Sequence, residues 1–279
     1  MSAVTAKAVS WTELGLVPDT VIRAGIRRLL ESKRKEIHSG DAEFAAKAMN
    51  SFVSMMNESP VALVPDLANQ QHYEVPAEFF TQVMGDHLKY SCCYWPDDVS
   101  NLSEAEAAAL EITVKRAGIE DGMAVLDMGC GWGSLSLWIA EHFPNASVTS
   151  VSNSVSQHDF ILRQAADRSI NNIDVIVCDM NDFDIDRKFD RIVSVEMFEH
   201  MRNYGELFRR ISQWLVPDGK FFMHIFCHKS TPYEYIDKGP ADWMSRHFFT
   251  GGIMPGADLP LRFPAHLGIE RRWHWNGQN

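Results

Sequence analysis

The segment Ala124-Val-Leu-Asp-Met-Gly-Cys-Gly-Trp-Gly-Ser134 constrains this chain more than any other. An apolar run closes on Asp127, glycines follow at 129, 131 and 133, and a second apolar stretch begins. That order predicts a strand, a tight turn and a helix, with bare backbone amides at the helix start. Two details separate it from a dinucleotide loop. The third glycine of G-x-G-x-x-G would fall at Ser134, and the acidic ribose partner expected ~20 residues on is replaced by Ser150-Val151-Ser152-Asn153.

Around this loop strands and helices alternate. Strands are expected at Ala124–Asp127, Ser147–Val151, Ile173–Cys178, Phe189–Val195 and Gly219–Phe226, and a sixth at Leu267–Trp275. Helices are expected over Gly133–Phe143 and Gln157–Ile170, and again before Leu215. Such alternation implies a parallel sheet covered on both faces. Upstream, Ser103-Glu104-Ala105-Glu106 reads as a capping box for a helix ending near Gly118.

Residues 1–85 read as a helical cap before a core spanning 86–279. Pro18-Asp19-Thr20 opens a helix with Val21, Ile22, Ile26, Leu29, Leu30 and Ile37 at helical spacing. It also carries Arg23, Arg27, Arg28, Lys33, Arg34 and Lys35. A weak contact with an anionic membrane surface is one reading; a solvated face is the preferred one. A second helix, Asp41–Glu58, has Phe44, Ala48, Met49, Phe52 and Met56 as its apolar stripe.

The 279 residues carry 26 Lys+Arg against 37 Asp+Glu, a net charge of −11. That balance argues against broad nucleic-acid binding and suits cationic or neutral small substrates. The cysteines, Cys92, Cys93, Cys130, Cys178 and Cys227, are odd in number and form no C-x-x-C pair. Neither a disulfide framework nor a metal site is expected. With no signal-peptide h-region and no apolar run of about 18 residues, a cytoplasmic location is the expectation.

The strand-end residues favour S-adenosylmethionine as cofactor. It has no phosphate to cradle; it needs an oxygen acceptor for its ammonium, polar groups for its ribose and an apolar slot for adenine. Asp127, the group Ser152, Asn153 and Gln157, and the pair Asp179-Met180 each sit at the C-terminal end of a strand, where open α/β sheets bind ligands.

From about Gln71 to Pro255 the chain resembles S-adenosylmethionine-dependent methyltransferases related to cyclopropane fatty acid synthases and plant coclaurine-type N-methyltransferases. The motifs are Tyr90-Ser-Cys-Cys-Tyr-Trp95, Leu126-Asp-Met-Gly-Cys-Gly-Trp-Gly133, Ser152-Asn-Ser-Val-Ser-Gln157, Glu196-Met-Phe-Glu-His200 and Phe226-Cys-His-Lys229. The resemblance implies a class I methyltransferase α/β fold, a Rossmann-like parallel sheet. It implies cofactor contacts from Tyr90 and Ser91 and from the loop of Gly129, Gly131 and Gly133.

Glu196, Glu199 and His200, if helical, fall at i, i+3 and i+4 on one face, where they would perturb one another's titration. Methylation of an amine needs a free nitrogen lone pair, so a base is useful and carboxylates attract the protonated substrate. A helix-dipole cap explains either glutamate alone but not the trio. In the two branches of the family the resemblance implies different sites. Cyclopropane synthases hold a bicarbonate base with a Cys, a Glu and a His, matched here by Cys92, Glu199 and His224, but typically carry glycine at position 196. Coclaurine-type enzymes carry both glutamates and a catalytic pair matching Glu196 and His200. An anionic Glu196 would repel a bound bicarbonate, which favours amine methylation. For Cys92 a small buried hydrophobe and for His224 a buried structural histidine are the alternatives. Trp243, Phe248 and Phe249, before Gly251-Gly252, either wall an apolar amine pocket or pack the core.

The expected function is therefore N-methylation of a small aromatic or alicyclic amine. Methylene transfer to an unsaturated phospholipid is the first alternative. Relatives continue past Asn279 with a helix and an antiparallel seventh strand, so a truncated cofactor-binding protein without turnover is the second. A homodimer is compatible with the sequence.

Overall fold

The computed structural model describes residues 3–37, 42–64, 77–239 and 242–275. Its centre is a parallel sheet of β1 (Ala124–Met128), β2 (Ser147–Ser152), β3 (Ile173–Val177), β4 (Phe189–Val195) and β5 (Leu215–His224), ordered β3-β2-β1-β4-β5. The first four strands match the expected spans to within a residue or two, and β5 begins earlier. Val125, Leu126 and Met128 of β1 are fully buried, as expected for a strand covered on both faces. The strand order reverses between β1 and its neighbours β2 and β4, which opens a crevice at their C-terminal ends.

Helices α1 (Ala3–Glu13), α2 (Asp19–Ile37), α3 (Ala42–Glu58), α4 (Ala77–Val83) and α5 (Leu102–Ala117) precede the sheet. Helices α6 (Ser134–His142), α7 (Val155–Asp167), α8 (Tyr204–Trp214) and α9 (Trp243–His247) follow β1, β2, β4 and β5. Helix α8 buries Tyr204, Leu207, Phe208, Ile211 and Trp214, a stripe at helical spacing. Each such side chain contributes ~1.5–3 kcal/mol of burial. Opposite, Leu110 and Val114 of α5 and Trp138 and Ile139 of α6 cover β1.

The N-terminal helices join the sheet and its helices unevenly. Met49, Phe52, Val53 and Met56 of α3 pack into the same cluster as α8, with Met56 fully buried. The chain after α3 is stitched to the core. Arg202 N–H donates to Val61 O at 2.7 Å, and Asn181 bonds both the N–H and the carbonyl of Ala62, at 2.9 and 3.0 Å. By contrast no described residue of α2 is buried. Val21, Ile26, Leu29 and Leu30 are all exposed, so the expected apolar stripe is not a core face. The Phe44 side chain, Asp41 and residues 71–76 lie outside the described residues.

Two local expectations are corrected. Helix α5 is capped by Asn101, whose side chain accepts from Glu104 N–H at 3.0 Å, while the Glu104 carboxylate accepts from Ser100 N–H at 2.8 Å. The box therefore sits two residues earlier than Ser103. Glu106 instead points inward and accepts from the N–H groups of Gly85, His87 and Lys89. Secondly, Leu267–Trp275 is not a strand. It runs beside β5 through side chains alone: Lys220 pairs with Glu270 at 2.6 Å, Phe222 meets Trp273, and Trp275 stacks on His224. The alternating bulky residues mimic a strand, but no backbone ladder forms. Among the described residues no helix is long and apolar enough to cross a membrane.

Candidate active site

The crevice at the strand ends holds a cavity of about 360 Å³. Ten of the eleven residues expected at the cofactor line it: Tyr90, Ser91, Asp127, Gly129, Gly131, Ser152, Asn153, Gln157, Asp179 and Met180. The exception is Gly133. A Cβ there would fall 2.6 Å from Ile161 Cγ1, so this glycine lets α7 pack against the start of α6. Gly129 is similar, with Met197 2.8 Å away. Gly131 differs. Its φ is +55, and a Cβ would meet nothing within 4 Å, because it would project into the cavity. Here the absent side chain leaves room for a ligand against the main chain.

The polar groups of this half are partly committed and partly open. Asp127 is buried and accepts from Ser136 Oγ at 2.6 Å, itself hydrogen-bonded to Ser150. Burial lifts its carboxyl to about 6, opposed by the Ser136 bond. Ser154 caps α7 and fixes Gln157, whose Oε1 accepts from Ser152 Oγ at 2.5 Å. Gln157 Nε2, Ser134 Oγ and Trp132 Nε1 are buried and without a hydrogen-bond partner, and all three residues line the cavity. Buried polar groups are rarely left so. Open donors beside a strand-end carboxylate and a bare glycine suit a cofactor with ribose and ammonium groups.

The other half is built on the turn after β4. The expected helix is absent: only Phe198–His200 forms a 3-10 turn, so Glu196, Glu199 and His200 do not share one helix face. Glu196 lies outside it with φ +53, a left-handed conformation costing a non-glycine residue ~1 kcal/mol or more. Its N–H donates to His224 O at 2.8 Å, and its Oε1 accepts from Cys92 N–H at 3.3 Å. Glu196 and His200 both line the cavity, with the His200 ring 4.6 Å from that of Phe249.

Glu199 does not line it. It is fully buried, and its Oε1 accepts from Phe226 N–H at 2.6 Å. Burial first, then the Glu196 charge, raises its carboxyl well above the usual range.

Cys92, which is exposed, and His224 stand beside Glu196, but neither lines the cavity. Their Sγ and Nε2 atoms are 3.7 Å apart. Burial, then Glu196, pushes the Cys92 thiol to about 12, and burial, then Lys89, drops His224 to about 4. Both are neutral at pH 7. Thus Glu196, rather than Glu199, meets the Cys–His pair. Phe248 and Phe249 wall the cavity together with Phe226, whereas Trp243 is exposed and donates its indole N–H to Glu13 at 3.2 Å. Sequence reasoning missed Lys89, a buried lysine lining the same cavity, because a lone lysine carries no spacing signal.

Residues 65–260 match the family described as mycolic acid cyclopropane synthetase. An (S)-coclaurine N-methyltransferase from Thalictrum flavum subsp. glaucum is 36% identical over 99% of this chain and 77% of its own length. The cyclopropane-fatty-acyl-phospholipid synthase of Escherichia coli strain K12 is 32% identical over 75% of this chain and 52% of its own. A crystal structure of a coclaurine N-methyltransferase bound to N-methylheliamine and SAH superposes with a TM-score of 0.92 at 35% identity, covering 97% of this chain and 79% of that one. The chain therefore belongs to the mycolic acid cyclopropane synthetase family and is an S-adenosylmethionine-dependent methyltransferase with a class I fold.

Proposed function

We propose that the protein methylates the nitrogen of a small amine carrying an aromatic or alicyclic frame, with Glu196 as the base. The observation that carries this reading is Glu196 itself, an acid kept in a left-handed turn and lining the same cavity as His200. A glycine would take that φ without cost, and glycine is what cyclopropane synthases typically carry there. The coclaurine and tetrahydroprotoberberine N-methyltransferases among the relatives, 36% and 38% identical, support the same acceptor class.

The proposed division of labour follows the two halves of the cavity. Gly131 and Asp127 hold the methionine end of S-adenosylmethionine, Ser152, Asn153 and Gln157 its ribose, and Asp179 with Met180 its adenine. When bound, the cofactor supplies a methyl group activated by a sulfonium. The aromatic wall of Phe226, Phe248 and Phe249 receives the apolar frame of the amine. The Glu196 carboxylate accepts the N–H proton, exposing the lone pair, and His200 orients or relays that proton. Glu199, tied to Phe226 N–H, supports the turn from beneath.

The test is turnover of S-adenosylmethionine against a panel of primary, secondary and tertiary cyclic amines, beside vesicles of unsaturated phospholipid. Methylated amine, with vesicles inert, is expected. Product from phospholipid alone, dependent on bicarbonate, would transfer the protein to the cyclopropane branch. Cofactor binding with no turnover on either would favour a binding protein.

A further inference from the structure

Cys92, Glu196 and His224 bring a thiol, a carboxylate and an imidazole together from three segments: the loop before α5, the turn after β4 and the end of β5. One donor atom from each lies within 4.8 Å of the other two. Cys92 Sγ and His224 Nε2 are 3.7 Å apart. A tetrahedral zinc ion, with a Zn–S bond of ~2.3 Å and a Zn–N bond of ~2.0–2.1 Å, sets two such atoms about 3.5 Å apart. The three residues are also tied to one another and to their surroundings. Glu196 N–H donates to the His224 carbonyl at 2.8 Å, and Cys92 N–H donates to Glu196 Oε1 at 3.3 Å. Lys89 Nζ donates to the Cys92 carbonyl at 2.7 Å, and Trp275 stacks on the His224 ring with centroids 4.9 Å apart. Cys92 is exposed, which gives an ion a way in. Of the three, Glu196 alone lines the cavity, so it is the residue that the cluster shares with the methyl-transfer site.

We propose that Cys92, Glu196 and His224 bind a thiophilic divalent cation of the zinc type, and that the bound ion takes Glu196 out of the methyl-transfer site. A sulfur, an imidazole nitrogen and a carboxylate oxygen form a zinc-type donor set, with a fourth position left for water. As the ion binds, the Cys92 S–H bond breaks, its proton passes to solvent, and the freed sulfur electron pair forms the Zn–S bond. No electron is transferred, so no oxidant or reductant is needed. A glycine at position 196 would remove one of the three ligands, so the site depends on the glutamate. While coordinated, Glu196 cannot take the N–H proton of an amine. This inhibitory half rests on the reading of Glu196 as base; the binding half does not. The sequence carries no metal spacing because the three ligands lie far apart along the chain.

The experiment is a titration of the untagged, reduced protein with Co²⁺, read by its visible ligand-field bands and its thiolate-to-cobalt charge-transfer band, followed by displacement with Zn²⁺. The expected result is one ion per chain with a tetrahedral spectrum that includes the charge-transfer band. Cys92→Ser should lose that band. His224→Gln and Glu196→Gln should each weaken binding by more than the ~10–100-fold typical of losing an outer-shell partner. Cys227→Ser, which removes the other exposed thiol, should bind as wild type does. Zn²⁺ should raise the melting temperature of the wild type and not that of folded Cys92→Ser. With an amine substrate, Zn²⁺ should stop turnover at the concentration that fills the site, and a chelator should restore it. The absence of a charge-transfer band in the wild type, or its survival in Cys92→Ser, would overturn the proposal. A filled site with undiminished turnover would overturn its inhibitory half. If the wild type turns over no amine while the three variants still lose the ion, the metal site stands and the reading of Glu196 as base falls.

Discussion

The Glu196 carboxylate takes a hydrogen bond from the backbone N–H of Cys92 at 3.3 Å, joining the loop before α5 to the turn after β4. The contact links residues 104 positions apart and brings the Cys92–His224 pair against a carboxylate borne by the chain itself. On the proposed reading this acidic side chain, standing beside the cysteine and the histidine, takes the place of a bound bicarbonate.

Cys92→Ala should therefore leave kcat for an amine within a few-fold of wild type. Burial and the Glu196 charge push the thiol to about 12, so Cys92 is no base near neutrality; alanine keeps the backbone N–H to Glu196 and loses only the thiol contact. Depleting or adding bicarbonate should not change the rate. Initial rates under carbon-dioxide-free and bicarbonate-supplemented buffers check both points, and a strict bicarbonate requirement would contradict them.

The glycines of the loop should separate by role. Gly131→Val should abolish S-adenosylhomocysteine binding while the protein stays folded, although its φ of +55 adds strain. Gly133→Ala should instead lower the melting temperature, because its Cβ would fall 2.6 Å from Ile161 Cγ1 within a packed core cluster. Overpacking of this kind costs ~1–3 kcal/mol. Calorimetric binding and thermal melts on both variants distinguish the two effects.

Asp127 should make cofactor binding pH-dependent. Burial lifts its carboxyl to about 6, and a cationic ligand favours the ionised form, so binding below that pH must expel a proton. Affinity should fall up to about tenfold per pH unit below 6 and level off above it. The stability sign is opposite to that of an ion-paired acid. The folded apoprotein holds a proton that the unfolded chain releases above 3.8, so apo stability declines as pH rises from 3.8 through about 6. Asp127→Asn should raise the apo melting temperature at pH 7 while weakening cofactor affinity. Calorimetry from pH 5 to 8 reads both trends.

Glu199→Gln should be mild. Burial and the Glu196 charge push the Glu199 carboxyl well above its usual range, and glutamine preserves the acceptor for Phe226 N–H while removing the ionisable group. Because its folded carboxyl titrates well above 4.5, wild-type stability falls as pH rises above that value, and the substitution should remove that fall. Melting temperatures at pH 5 and pH 8 in the two proteins test this, and kcat should stay within about tenfold, far from the loss expected at a general base.

The sheet was legible because its strands announce themselves: continuous apolar runs bounded by turn residues, with Asp127, Ser152 and Asp179 at or just past their ends. The cofactor half followed from those strand ends. The acceptor half was legible in composition but not in geometry. Helical spacing put Glu196, Glu199 and His200 on one face, yet the left-handed turn at Glu196 sends the two glutamates to different environments, and nothing in a glutamate codon position signals φ. Trp273 and Trp275 imitated a strand because side-chain alternation does not reveal whether backbone groups find a ladder. The α2 stripe looked like a core face, but its apolar residues remain exposed, which periodicity alone does not decide. Lys89 was silent because its meaning depends on burial.

The most direct measurement is the pH profile of amine methylation by Glu196→Gln, with S-adenosylhomocysteine affinity measured on the same protein. Removing a general base typically lowers kcat by ~10²–10⁴. The account predicts a loss of that size near neutral pH, shrinking at high pH where the free amine forms unaided, with cofactor affinity little changed. His200→Ala should behave similarly, and the double variant should be far from additive if the two act as a unit. Wild-type rates near neutral pH in Glu196→Gln would show that the residue only shapes the turn, and loss of S-adenosylhomocysteine binding would place it in the cofactor half; either result would contradict the account.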